Sequence, residues 1–451
     1  MSTAAGSGAG GGNGGASGGG GGSGTATASA GPLAGIRVID LTMWFQGPVA
    51  GQHLADLGAE VIHLESPKGG DLARGVRSIK ALAIGDWNQY FQVINRNKKS
   101  MAVDLNTPDG VEIVHRLAEK SDVFLTNLSA KALEKWKVTY DELAWINPRL
   151  VYALGSGYGP FGRITKPSFD MTVQALVGLM SRQGEPDEPP IYLGMGSGDA
   201  MGGMMAALGI MLALYAREST GRGQCLDASL YGAQTFMAAP TFQAYLATGS
   251  ERYSRQVSRT DPENPLWNIY RAADRWLFLC VPNEDGPWRT LCDTLEAGRR
   301  DTGDAYDAGG AGGTRDAGAL AGDARFADPA ARRANATALV AELDRVIAAR
   351  PAAAWTERLT RAGLAASPIV TFKDLAADPQ AWENDYLLKT PCEEVDREVT
   401  IRGLPVGFSK TPGTVRSLGP QLGQDTELIL FETLGYDWDR IGELKAGGTI
   451  L

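Results

Sequence analysis

Histidine and cysteine are scarce, with three and four residues in a chain of 451. His53, His63 and His115 form no metal-ligand pair at helical spacing, so a zinc site is not expected. Cys225, Cys280, Cys292 and Cys392 lie far apart with no CxxC spacing, the usage of reduced thiols in a cytoplasmic protein. An excess of basic charge is also missing: 43 Lys and Arg stand against 52 Asp and Glu, for a net charge of −9. That balance argues against a nucleic-acid partner or a polybasic membrane surface. The longest apolar run, Met201 to Tyr215, falls short of the roughly 20 residues that span a bilayer. The GxGxxG fingerprint is absent, which disfavours a dinucleotide redox site. Residues 1–31 are glycine-rich, with no basic start and no apolar segment, and read as a disordered tail rather than a signal peptide.

What remains is the composition of a soluble globular enzyme, 43% hydrophobic and 21% charged. The length predicts two domains. Strand 36-IRVIDL-41, a turn at Gly47-Pro48, a helix to Gly58 and strand 60-EVIHLE-65 make a βαβ unit and hence a parallel sheet. The rhythm repeats through SMAVDL, 108-PDGVEIVHRLAEKS-121, 122-DVFLT-126 and 150-LVYAL-154. Gly155, Gly157 and Gly159 then allow close backbone approach to a ligand. Glu65 ends a strand, where an acid can bond a ribose or simply be solvated. Arg96, Lys98 and Lys99 form a cluster suited to phosphate or to an exposed face.

The segment 168–184 reads as a helix capped at Ser168, with Asp170 at its start serving either the site or the helix dipole. Then comes 194-GMGSGDAMGGMMAALGIMLALYAREST-220, where glycines deliver Asp199 to the start of an apolar helix. A helix start favours an ionised acid, and flexible glycines let backbone N–H groups reach developing oxyanions. By composition alone the favoured reading of Asp199 is an N-cap. The helix that follows is interrupted at Pro240, and 252–265 is a breaker-rich connection. A second α/β region begins near Leu266 and carries a Gly- and Asp-rich mobile insertion at 297–324.

The ordered motifs GIRVIDL, LADLGAEVIHLE, GGD-LARG, NRNKKSMAVDL, NPRLVYALGSGYG, SFDMTVQALVGLM, GD-AMGG, TGRGQCLDASL and GPQLGQDTE resemble the class III CoA-transferases, the CaiB/BaiF type that includes formyl-CoA and carnitine CoA-transferases. The resemblance runs from Gly31 to Leu451 apart from the insertion. It implies an α/β fold with an open Rossmann-like large domain built from both chain ends (32–250 and 391–451), a smaller α/β domain (251–390) and an interlocked ring homodimer. It implies Asp199 as nucleophile, with an acyl-CoA and a small carboxylic acid as substrates and no permanently bound cofactor. The coenzyme A positions it implies are Phe45, Gln46, Val103, Asp104, Asn106, Asn127, Leu128 and Lys135, to which Glu65, Arg74, Arg96, Lys98, Gly157 and Tyr158 are added. Ser66 and Ser156 depart from basic residues found in some members, and Lys68 is a substitute for the former. Aromatic loops at Trp44, Tyr158 and 282-PNEDGPW-288 are candidates for the acyl pocket. Related racemases place a histidine before the acid of the SFD motif; here it is Phe169, which carries no proton. An intramolecular CoA shift and a non-catalytic acyl-CoA binder are the competing readings.

Overall fold

The computed structural model describes residues 31–79, 85–164, 166–300 and 318–451; the glycine-rich tail and most of the 297–324 insertion lie outside them. Six strands form one wholly parallel sheet: β1 (Arg37–Leu41), β2 (Glu60–Glu65), β3 (Lys99–Ala102), β4 (Val123–Thr126), β5 (Val151–Leu154) and β6 (Cys225–Asp227). Their order, β3-β2-β1-β4-β5-β6, is that of a doubly wound Rossmann sheet, with its switch point between β1 and β4. β1, β2 and β4 are buried almost throughout, as expected of strands covered on both faces.

On one face, Ile39, Ile62, Met101 and Phe124 pack with the 108–119 helix and with Ile429, Leu430, Ile441 and Leu444 near the C-terminus. The last residues therefore complete the core that the first strands begin. On the other face, the Gln46–Asp56 helix lies against the long Ser197–Thr220 helix. Gly202 and Gly203 allow this close packing, because a Cβ on Gly203 would stand 2.7 Å from the Gln46 carbonyl oxygen. The long helix extends well beyond the apolar run seen in the sequence, and by length and composition it could cross a bilayer. One of its faces packs on the sheet core through Ala206, Ile210, Ala213 and Leu214. The other leaves Met204, Leu208, Leu212 and Tyr215 exposed.

A second core gathers Tyr270, Leu277, Leu291, Leu339, Leu343 and Trp355. Its sheet is antiparallel, formed by β7 (Trp267–Arg271), β8 (Trp276–Cys280) and β9 (Ala365–Pro368). A hairpin, β10 (Leu387–Cys392) and β11 (Arg397–Arg402), packs with Trp87 and Val93 of the first region. Two local expectations change. The helix predicted at 168–184 shrinks to Asp170–Leu176 with Phe169 at its cap, because Gly178 (φ 77°) breaks it. The helix after Leu230 does break near Pro240: Leu230–Met237 is followed by Ala239–Thr248, with proline accepted in the first turn.

Candidate active site

Residues that follow the strands collect at their C-terminal ends, around the switch point. After β1 the chain turns through Met43 and Trp44 into the first helix. Asn127, just after β4, locks that turn: its Oδ1 accepts from Met43 N at 3.0 Å and its Nδ2 donates to Met43 O at 2.8 Å. Trp44 has φ 70°, a left-handed conformation that costs a bulky residue on the order of 1 kcal/mol or more. Asp71 Oδ1 accepts the Trp44 N–H at 3.1 Å and so holds it there. The Phe45 ring then meets Tyr90 edge-on at 5.3 Å and lies 3.7 Å from where a Cβ on Gly196 would sit.

Gly196 (φ 83°) caps the long helix, which places Asp199 in its first turn. Asp170 anchors this loop. Its Oδ2 accepts from Gly196 N at 2.6 Å and its Oδ1 from Gly198 N at 3.1 Å. Gln174 and Gln234 donate to the same Oδ1 at 3.1 and 3.0 Å. A Cβ on Gly198 would overlap both Asp170 Oδ1 and Gln234 Nε2, so glycine is required there. Asp170 is thus a cap supplied from another helix, more than a dipole partner of its own. The glycine N–H groups expected to face oxyanions are already engaged by it.

Asp199 is half-buried, with no ion-pair partner among the described residues. Burial, and then the neighbouring Asp170 carboxylate, push its pKa up to about 7. The helix start was expected to keep it fully charged; loss of hydration and a like charge outweigh the dipole, which contributes about 1 kcal/mol or less. Nearby, burial and the charges of Asp199, Asp71 and Asp170 raise the Tyr90 phenol, which stays protonated.

A cavity of about 130 Å³ opens at the ends of β1, β2 and β3. Its lining brings together Glu65, Val103, Asp104, Asn106 and Leu128, along with Ser66 and Trp136. Lys135 Nζ donates to Asn106 Oδ1 at 2.5 Å, and Lys68 Nζ lies 3.4 Å from Asp104 Oδ2. Two ammonium groups therefore rim the cavity.

Other candidate positions point elsewhere. Arg74 forks onto Glu65 with two 2.6 Å bonds and lies over the Phe91 ring. Arg96 is buried, bidentate on Asp56 and bonded to the Arg402 carbonyl, just before the N-terminal end of β3 and so away from the strand C-termini that line the cavity. Lys98 is buried on Asp40, Pro48 O and Asn95. The phosphate role expected for Arg96 and Lys98 does not fit this geometry, since both charges are enclosed and neutralised within the fold. Gln46 Nε2 donates to Ala228 O at 2.8 Å, between the helices. Gly157 is needed because Ser168 packs against it; Tyr158 donates to Pro167 O at 3.2 Å, and Ser156 to Asp227 at 2.8 Å. Trp288 of the 282–288 segment is buried in the second core, so it is closed to an acyl group.

The family model for CoA-transferase family III matches residues 33–426. The chain belongs to this family. It is a family III CoA-transferase with relatives of known substrate across most of its length. A succinyl-CoA–D-citramalate CoA-transferase of Chloroflexus aurantiacus is 32% identical over 92% of this chain and 97% of its own. An acetyl-CoA:oxalate CoA-transferase of Acetobacter aceti is 32% identical over 80% and 86%. The crystal structure of a CAIB/BAIF family protein from Brucella suis superposes with a TM-score of 0.75 at 29% identity, covering 90% of this chain and 99% of that one. The two relatives named for their substrates act between acyl-CoA thioesters and carboxylic acids.

Proposed function

We propose that this transferase moves coenzyme A from an acyl-CoA to a free carboxylic acid with Asp199 as covalent nucleophile. The observation that carries this reading is a half-buried carboxylate, with no cation beside it among the described residues, presented by a glycine loop that Asp170, Gln174 and Gln234 hold rigid. A carboxylate whose charge is poorly solvated loses little when that charge leaves it. Asp199 attacks the thioester carbonyl, the C–S bond breaks, and a mixed anhydride and CoA thiolate result. The thiolate attacks the aspartyl carbonyl, releasing the donor acid and forming an aspartyl-CoA thioester. The acceptor carboxylate then attacks that thioester, giving a second anhydride. Returning thiolate takes the acceptor acyl group and restores Asp199. The Tyr90 phenol is a protonated donor within the field of Asp199 and suits oxyanion stabilisation. The cavity rimmed by Lys68 and Lys135 suits the anionic end of coenzyme A, with residues 32–250 and 391–451 acting as the binding unit. Asp199→Ala is expected to abolish transfer while CoA binding, followed by calorimetry, survives; normal turnover would refute the assignment.

The working form in this proposal is a homodimer. The stripe Met204, Leu208, Leu212 and Tyr215 is exposed, and the Ala239–Thr248 helix has no buried residue although Phe242 and Leu246 are apolar. Apolar surface of this extent marks an interface, and the interlocked arrangement is what the family resemblance implies. Light scattering should give twice the chain mass and a smaller particle for Leu212→Glu; a monomeric native protein would contradict the dimer.

A further inference from the structure

We propose that His63 is a positioning residue for the transferase site: as a cationic bridge between Asp40 and Asp71 it fixes the Trp44–Phe45 turn that covers the Asp199 loop. His63 occupies a fully buried position in β2 and has no exposed surface, where an apolar residue is the norm. Its Nδ1 lies 3.2 Å from Asp40 Oδ2 and its Nε2 lies 3.7 Å from Asp71 Oδ2. A neutral imidazole has one ring nitrogen with a lone pair, which would face a carboxylate whichever tautomer formed. Only the doubly protonated ring suits both neighbours. Neither contact is an aligned hydrogen bond, and Asp71 Oδ2 has no other donor, so the imidazolium charge is what offsets this buried oxygen.

The charged groups around the ring come from every packed element. Asp40 arrives from β1, Glu65 from β2, Asp71 from the following loop, Lys98 from the residue before β3, and Arg74 from the 72–78 helix. Three carboxylates meet three cations only when His63 carries its proton. Burial alone would lower the imidazole; Asp40 first, then Asp71 and Glu65, raise it to about 9.

From this bridge the connection to the site is short. The other oxygen of Asp71 accepts from Trp44 N at 3.1 Å and Ala73 N at 2.9 Å. Trp44 keeps its left-handed backbone only while such bonds hold it. Phe45, the next residue, packs against Gly196, three residues before Asp199. Loss of the imidazolium charge leaves Asp71 uncompensated in a dry site and loosens the turn; a small displacement there misplaces the nucleophile.

The activity part of this inference rests on Asp199 as nucleophile, so the test includes a readout that does not. The imidazole titration of His63 in the native protein, assigned by NMR through the signal missing from His63→Gln, should have its midpoint well above 6.5, near 9. In His63→Gln, kcat should fall roughly tenfold or more with a smaller change in KM for acyl-CoA. His63→Lys, which keeps the cation, should recover most of kcat at neutral pH and move the alkaline limb upward. A His63 midpoint at or below 6.5, or a His63→Gln enzyme with native kcat and alkaline limb, would overturn the proposal. If His63→Gln does not fold, the alkaline limb of His63→Lys against the native enzyme decides, an unmoved limb counting against it. Failure of the Asp199 reading would leave the titration as predicted.

Discussion

Asp40 and Asp199 are both withdrawn from water, yet their carboxyl groups are driven in opposite directions. For Asp40, burial alone would raise the pKa, but Lys98 at 2.7 Å and His63 at 3.2 Å override it and hold the group well below the usual carboxylate range. Asp199 has the same chemistry with no cation paired to it among the described residues, and burial reinforced by Asp170 carries it up to about 7. The difference lies in the neighbours, since depth of burial acts on both in the same sense. A balanced cluster fixes backbone; an unbalanced carboxylate is left with free energy that a reaction can release.

Removing charge should therefore have opposite effects in the two places. Lys98→Met strips Asp40 of its closest cation and should destabilise the fold by about 3–5 kcal/mol, the usual result of breaking a buried pair; chemical denaturation measures it. Asp199→Asn should stabilise instead. A folded-state pKa raised from 3.8 to about 7 means the neutral acid favours folding, and that contribution is lost as pH rises from about 4 through 7. At pH 8 the substitution should return about 2 kcal/mol, discounted for the partial exposure of the site. Equal stability of both forms at pH 8 would sink this ordering.

A smaller effect concerns activity. The rate at limiting acyl-CoA, kcat/KM, should rise through neutral pH with an apparent pKa near 7 from Asp199 in the free enzyme, before the alkaline limb assigned to His63. Asp170→Asn removes the like charge, and the acid limb should move downward by less than about one unit, because burial is the larger cause. An acid limb that stays in place would show that Asp170 matters only as the anchor of the loop.

Much of the fold was legible from the chain. The βαβ periodicity gave the parallel sheet, and the flanking glycines marked Asp199 as an acid delivered to a helix start. The basic run 96-RNKK-99 misled, because its partners are remote: Arg96 pairs with an acid 40 positions away and Lys98 with one 58 away. A local pattern cannot distinguish a cation awaiting phosphate from one already neutralised inside the fold. Asp170 was visible, and Gln174 follows it by one helical turn, but Gln234 is 64 positions distant and nothing local marks it. His63 stood in plain view as a polar residue in an apolar strand. Its role needed Asp40 and Asp71 brought to either side by the sheet.

The covalent role of Asp199 is tested most directly by trapping. The enzyme would be incubated with acyl-CoA and hydroxylamine, digested, and mapped by mass spectrometry. Conversion of the Asp199 side chain to its hydroxamate, dependent on acyl-CoA, is the predicted result. A hydroxamate on another residue, or an unmodified chain after turnover, would contradict the account.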